Sequence, residues 1–466
     1  MLLDLIKIAL CLVGYLAFAP VLAVALTTYP RLRRWCLAGL VLMTALPKGW
    51  TTLTIFSHDS YRGHVRGWEC SLSDMVSLGL IGWALISGRL GGRSVVLILA
   101  ALWGGYCLAS LPGTLHALDL GYVGMAVFKY TKAVLLLLAV GLALRDREDL
   151  RALLAAMTAA LLIELTIGVW HRYGLGQWRV MAWFEHPNPL AMWSYLLALP
   201  LLGAAMTPGE PRRAIITALT AVAGAGALVI MTLSRAALAA IAIGIGVVLL
   251  VRLLQRPSRQ VAIGMVALAL AGTAMLALSY DSIALRARLA GGDTGVEDFR
   301  EVLNRQSAEM LRDHPWSGIG WNNYGVANSR PLGIYSRVIE DWDQERGHRY
   351  DEDTYRSNAL VESWYWLHLA EGGWPSLSAL LIFATATVIT AASVAWRRRR
   401  EVAGGFAAGV MVALCLVYAH GQWERILVQT KTLATWMILV GAVAALAAGA
   451  ASEPRRTGTG RLPPLP

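Results

Sequence analysis

The chain has 466 residues, of which 56% are apolar and only 15% are charged. A soluble chain of this length needs far more polar surface, so the composition excludes an ordinary water-soluble domain. The formal charge of +11 comes from arginines and lysines clustered between apolar runs, which reports topology and anionic-lipid contact and not nucleic-acid binding.

Apolar runs of roughly 18 to 25 residues, long enough to cross a hydrocarbon core, recur along nearly the whole chain, and this length rule gives about 13 candidate spans. They begin near Leu2, Trp35, Cys70, Ser94, Leu120, Leu153, Val180, Ala214, Ala236, Val261, Trp364, Val402 and Lys431. The stretch Met1 to Leu26 reads as a span and not a signal peptide, because its apolar part is long and no small-residue cleavage site follows a short core. Gly and Ala are abundant inside the runs, which suits close helix packing in lipid. The five cysteines, Cys11, Cys36, Cys70, Cys107 and Cys415, form no CxxC or Cys/His cluster. They read as small packing residues, with neither a metal site nor a disulfide framework indicated.

Basic clusters sit at Arg31/Arg33/Arg34, Arg89/Arg93, Arg145/Arg147/Arg151, Arg212/Arg213, Arg252/Arg256/Arg259, Arg397 to Arg400 and Arg455/Arg456. They fall on alternate connections, as the positive-inside rule requires of cytoplasmic loops. The other connections then face outward. The longest, Asp281 to Glu362, carries 15 acidic and 10 basic residues, the reverse of the global bias and the composition of a translocated segment. A connection this long is uncommon without a function. Its start, Val296 to Arg312, reads as helix. The expected fold is all-α: a polytopic bundle of about 12–13 transmembrane helices with a large periplasmic loop domain. Residues 1–280 form the bundle with about ten spans, 281–363 the loop domain, 364–450 the C-terminal spans and 451–466 a cytoplasmic tail.

Ionisable residues at the outer ends of spans call for a reason, since burying charge near hydrocarbon is costly. His58, His64 and Glu69 precede the third span; His171, Arg172 and Arg179 follow the sixth; Glu185, His186 and Asn188 open the seventh. The long loop adds Arg300, Arg305, His314, His348 and Glu362. Arg235 stands between two apolar runs with almost no connecting loop. Two readings of it are equally open: a guanidinium clamping a diphosphate, or an interfacial arginine snorkelling to headgroups. Glu164, Lys129 and Lys132 lie within spans and suit a buried ion pair or a proton path. His171/Arg172 and His420 read first as interfacial residues. Most of the 18 tryptophans sit where an aromatic belt puts them, with Trp183 and Trp364 as candidates for stacking on a sugar ring.

Four segments together resemble the O-antigen ligase and polymerase superfamily. They are Phe184-Glu185-His186-Pro187-Asn188-Pro189-Leu190-Ala191, Leu233-Ser234-Arg235-Ala236-Ala237, the stretch from Arg300 to Asp313-His314-Pro315-Trp316-Ser317-Gly318-Ile319-Gly320, and Ala370-Glu371-Gly372-Gly373-Trp374-Pro375. The resemblance covers about Val180 to Pro375. It implies a GT-C-like bundle in the bacterial inner membrane, active at the periplasmic face, with a periplasmic loop domain over a cavity open to lipid. It also implies an undecaprenyl-diphosphate-linked glycan as donor, a second glycan or lipid A-core as acceptor, and no cofactor. Arg235 and Arg300, with Arg305 in reserve, are the implied diphosphate ligands; His186, Asn188 and His314 are further candidates on that face.

The chain departs from the family at one point. The family's His-Asn, whose histidine is the expected general base, falls here on Glu362-Ser363. Three readings follow: Glu362 replaces the histidine, since a carboxylate near a positive cluster can accept a proton; His348 reaches in from the loop; or the chain binds a lipid-linked glycan without transferring it. With a base present, an acceptor hydroxyl would displace the diphosphate directly and invert the anomeric configuration. No nucleotide-sugar fingerprint, DxD pair or Gly-rich phosphate loop is evident. Two other classes stay in view: a transporter, which usually shows paired repeats that are not found here, and a non-catalytic glycan-binding subunit of an export complex. The missing His-Asn leans the reading toward polymerase-like or exopolysaccharide chemistry.

Overall fold

A computed structural model describes residues 2–57, 63–207, 211–255, 294–328, 334–336 and 360–450, with scattered positions between 257 and 284. It is a helical bundle. The elements that position the site are α1 (Asp4–Thr28), α2 (Pro30–Ala45), α3 (Leu72–Ile86), α4 (Ser94–Ala109), α5 (Leu120–Ala143) and α6 (Arg147–Val169). They are followed by α7 (Pro187–Ala205), α8 (Arg212–Thr232), α9 (Arg235–Gln255), α10 (Thr294–Asp313) and α11 (Tyr324–Asn328). The last three are α12 (Trp364–Arg397), α13 (Val402–His420) and α14 (Thr430–Ala447).

Among the described residues ten helices are long and apolar enough to cross a membrane, at 1.5 Å per residue. The runs expected near Trp35 and Cys70 are helices of 16 and 15 residues, and the one expected near Val261 is a shorter apolar helix, Ala262–Ala274, with some positions outside the described residues. The run at Cys70 also starts late. Trp68–Ser71 is a strand paired antiparallel with Thr52–Ile55, with Thr54 opposite Glu69. Helix begins only at Leu72, where Ser71 and Asp74 form a reciprocal capping box. The hairpin fixes Glu69 beside Lys48, 2.7 Å away.

The centre of the bundle is α7, buried at almost every position. It packs on α13 through glycines: a Cβ on Gly203 would sit 2.1 Å from the Gly405 carbonyl oxygen, and one on Gly409 2.1 Å from that of Leu199. Gly405 and Gly409, four apart, lie on one helix face and let the two backbones touch. This contact joins the end of α7 to the start of α13; the two helices run antiparallel, and toward their other ends Tyr195 of α7 meets His420 of α13 at 3.2 Å.

The two ends of the bundle differ in charge. At one end, Arg33 makes a bidentate pair with Asp149, both side chains being nearly or fully buried. There too Arg93 donates to the carbonyls of Leu144 and Ala445, and Arg252 to that of Arg399. Those residues belong to the basic clusters of the sequence. At the other end gather the starts of α7, α9, α12 and α14 and the end of α13. Helix α10, anticipated over Val296 to Arg312, packs along α12 at that end.

Candidate functional site

A cavity of about 800 Å³ opens at this second end. Its polar wall is formed by Arg179, His186, Asn188, Arg235, Arg300, Glu362, His420 and Glu424, and below them Ala236, Ala239, Ala240 and Ile243 continue down α9.

Each polar group is held by local structure. Leu233 adopts φ 54°, a left-handed conformation that a branched side chain rarely takes. That residue reverses the chain between α8 and α9 without a loop and sets Arg235 at the first position of α9. Arg179 bridges neighbouring segments, donating from Nε to the Thr232 carbonyl at 3.2 Å and from Nη2 to Asn188 Oδ1 at 3.2 Å. His186 caps α7, its Nδ1 accepting from the Asn188 amide at 3.3 Å. Burial holds the His186 imidazole below its ordinary pKa, with Arg179 adding to the effect, so the ring is neutral near pH 7.

Arg300 on α10 forms an ion pair from Nε with Glu362 Oε2, and its Nη2 lies 3.5 Å from Glu424 Oε1. That carboxylate oxygen also accepts from Asn188 Nδ2 at 2.6 Å. Burial pushes the Glu424 carboxyl up to about 7, with Glu362 adding and Arg300 opposing. His420 holds Tyr195 at 3.2 Å through Nδ1, while its buried Nε2 has no hydrogen-bond partner.

Arg300 and Glu362 are kept in place by the two glycine-rich segments. The amides of Ile319 and Gly320 donate to the carbonyls of Ala370 and Glu371 at 2.9 and 3.1 Å, and Trp374 donates to Pro315 at 2.9 Å. Gly318, Gly320 and Gly373 all have positive φ, and a Cβ on Gly318 would lie 2.3 Å from the Glu371 carbonyl carbon. The fully buried Glu371 accepts from the Tyr324 amide at 3.2 Å. It is therefore the anchor of the turn after α10, away from the cavity.

The sequence candidates divide accordingly. Arg235, Arg300, Glu362, His186 and Asn188 line one cavity although they span 176 positions of the chain (186 to 362). Arg305 faces outward on α10 and pairs with Glu301 at 2.8 Å, and His314 packs against His116 with ring centroids 4.2 Å apart and planes tilted by 31°; neither lines the cavity. His348 and His58 lie outside the described residues. Glu164 does not meet Lys129 or Lys132: it lies 3.8 Å from Lys431, while Lys132 pairs with Asp74 at 2.7 Å and Lys129 donates to the Val428 carbonyl at 2.6 Å. Trp364 is 2% exposed and stacked on Tyr418, which takes it out of consideration as a sugar platform. Glu424 is the residue that sequence reasoning missed. The available signal was an acidic residue within the short polar stretch Gly421–Gln429 between two apolar runs.

Residues 219–381 match a family model described as O-antigen ligase. The matched segment contains Arg235, Arg300, Glu362 and both glycine-rich turns. No individual curated protein matches the chain.

Proposed function

We propose that the chain is a multi-pass inner-membrane glycosyltransferase of the O-antigen ligase and polymerase type, which moves a glycan from undecaprenyl diphosphate to an acceptor hydroxyl in the cavity of Arg235, Arg300 and Glu362, at the periplasmic face. One observation carries this reading: two arginines and a carboxylate from three separate segments line a single cavity whose floor is an apolar helix face. The donor has the same two parts. Its diphosphate suits guanidinium forks, which never lose their protons and bind oxygens in pairs. Its prenyl chain suits the strip of Ala236, Ala239, Ala240 and Ile243, which runs about 10 Å along α9. Three of those four residues are alanines, and their small side chains leave a groove.

The chemistry then needs charge neutralisation and a base. The acceptor oxygen bonds to the anomeric carbon, the bond from that carbon to the diphosphate oxygen breaks, and its electron pair leaves on the carrier. Arg235 and Arg300, fixed in advance, stabilise the growing negative charge without a metal ion. Glu362 takes the hydroxyl proton, occupying the place of the family's histidine. Attack opposite the leaving group inverts the anomeric centre. The outward orientation is supported by the basic clusters gathered at the far end of the bundle.

The test is mass analysis of carrier-linked glycans and lipopolysaccharide in a strain lacking the gene, complemented with the parent or with Glu362→Gln. Single repeat units accumulating on the carrier identify a polymerase. Long carrier-linked chains beside bare lipid A-core identify a ligase. Glu362→Gln should fail to complement while reaching the membrane in normal amount; unchanged glycan pools in the deletion strain would overturn the transferase reading.

A further inference from the structure

His186 caps helix α7 and lines the large cavity at the same time. Its backbone is extended, with φ −153° and ψ 151°, and Pro187 follows at the first helical position, where its fixed φ suits the entry into helix. The imidazole folds back so that Nδ1 accepts from the Asn188 amide at 3.3 Å. The Asn188 side chain is itself pinned from two sides, accepting from Arg179 Nη2 at 3.2 Å and donating to Glu424 Oε1 at 2.6 Å. The ring is thus oriented before any ligand arrives.

The capping bond assigns the tautomer. An imidazole nitrogen that accepts an N–H carries no proton of its own. The ring is neutral near pH 7, because burial, with Arg179 adding to it, disfavours the charged form. Its one ring proton therefore sits on Nε2, which has no hydrogen-bond partner among the described residues. The result is a fixed, uncharged donor in the cavity of Arg235, Arg300 and Glu362. The same tautomer removes His186 as a replacement for the family's base. Nδ1 is committed to the Asn188 amide, and Nε2 already holds a hydrogen.

We propose that His186 donates from Nε2 to an oxygen of the leaving diphosphate, as a third and uncharged member of the clamp formed by Arg235 and Arg300. The inference rests on the transferase reading, which supplies the diphosphate. As the bond from the anomeric carbon breaks, its electron pair moves onto the diphosphate oxygen, and a donor already in place stabilises that charge. No proton changes hands: Nε2 keeps its hydrogen, and the diphosphate departs as an anion. A neutral donor suits this position. Glu362 is among the charges that act on the ring, and an imidazolium would pair with the carboxylate that has to take the acceptor's proton. The N–H of a neutral ring strengthens the clamp without weakening the base.

Undecaprenyl diphosphate is the product of the proposed reaction and carries the charge in full, so its binding reads the contact without acceptor or turnover. Affinity is measured on the full chain in lipid nanodiscs, together with the melting temperature. His186→Asn keeps an oxygen to cap α7, asparagine being among the best N-caps, but is too short to bring a donor to the Nε2 position. It should melt with the parent and bind about tenfold more weakly, the size of one hydrogen bond to a charged group. His186→Gln sets an amide N–H near the Nε2 position and gives up the cap. It should melt lower and yet bind nearly as the parent does. A residue that serves only as a cap would give the reverse order, with Asn binding like the parent and Gln weakened, and that result would overturn the proposal. So would equal weakening in both variants, which would make the ring matter by its shape and not by its N–H. Arg235→Gln is the control for the cavity. Lost binding there with His186→Asn unaffected would sink the role of His186 alone, whereas full binding in both would place the diphosphate elsewhere. Failure of the transferase reading shows separately, as Glu362→Gln retaining function in the complemented strain.

Discussion

Glu424 Oε1 accepts a hydrogen bond from Asn188 Nδ2 at 2.6 Å and lies 3.5 Å from Arg300 Nη2. This oxygen joins the start of α7, the loop helix α10 and the connection before α14, so the cavity is closed by contacts between segments remote in sequence. The closure has a titration signature. The Glu424 carboxyl is raised by burial from 4.5 to about 7. Between those values the folded protein holds a proton that the unfolded chain has released, so stability falls as pH rises through this window. Glu424→Gln removes that penalty and keeps an acceptor for Asn188. Its melting temperature should match the parent near pH 4.5 and exceed it at pH 8, by a stability difference on the order of 3 kcal/mol. A difference independent of pH would show that Glu424 is not held protonated.

Glu362 and Arg300 make a second test, now on rate. Removing a general base costs typically 10²- to 10⁴-fold. Glu362→Gln should lower kcat in that range with donor KM little changed, because the amide keeps an oxygen that can accept from Arg300 Nε. Glu362→His should recover part of the rate and show a pH profile rising through the imidazole range. Steady-state transfer from a purified carrier-linked glycan decides the matter. A Glu362→Gln rate within twofold of the parent would return the base to another residue.

The sequence made the bundle legible because spans are long and their signal is local: every described helix that crosses was visible as an apolar run. The candidate site was legible in part. Arg235 stood out because a charge between two apolar runs has few excuses, and Glu362 because it occupies a recognisable register nine residues before Glu371. Glu424 did not stand out, since its meaning depends on Asn188, 236 positions away. The hairpin of Thr52–Ile55 and Trp68–Ser71 was hidden for a different reason: four-residue strands are too short for a period-2 pattern, and Cys70 merges with the apolar run that follows. Lys132 and Glu164 were each read as needing a partner, correctly in kind, but pairing between spans is not encoded locally.

Gly318 tests whether the glycine-rich turns serve the site by holding it. Its φ is +68°, and an added Cβ would lie 2.3 Å from the Glu371 carbonyl carbon and 2.4 Å from the Gly372 nitrogen. Neither is the end of a flexible side chain, so backbone must move. Gly318→Ala should lose at least about 1–3 kcal/mol from backbone strain alone. It should also loosen Arg300, which rides on α10. The expected result is a lower melting temperature in detergent together with a raised donor KM. A variant with parental stability would mean that the turn does not lock α10 onto α12.

Ala239 separates the prenyl groove from the arginine clamp. It lies one turn below Arg235 on α9, on the wall of the 800 Å³ cavity, and its exposed position leaves the bundle packing untouched. Ala239→Phe fills the groove without altering any charge. If the carrier's hydrocarbon runs along α9, this variant should bind a short prenyl diphosphate, whose tail stops above residue 239, nearly as the parent does. It should bind the long-chain diphosphate at least tenfold more weakly, since excluding two or three buried methylene groups costs about 0.8 kcal/mol each. Arg235→Gln should weaken both ligands alike, because every prenyl diphosphate presents the same head. Competition binding with a chain-length series reads both variants at once. Equal losses for long and short chains in Ala239→Phe would place the hydrocarbon elsewhere, and a length-dependent loss in Arg235→Gln would mean that the arginine orders the groove and does not simply clamp the diphosphate.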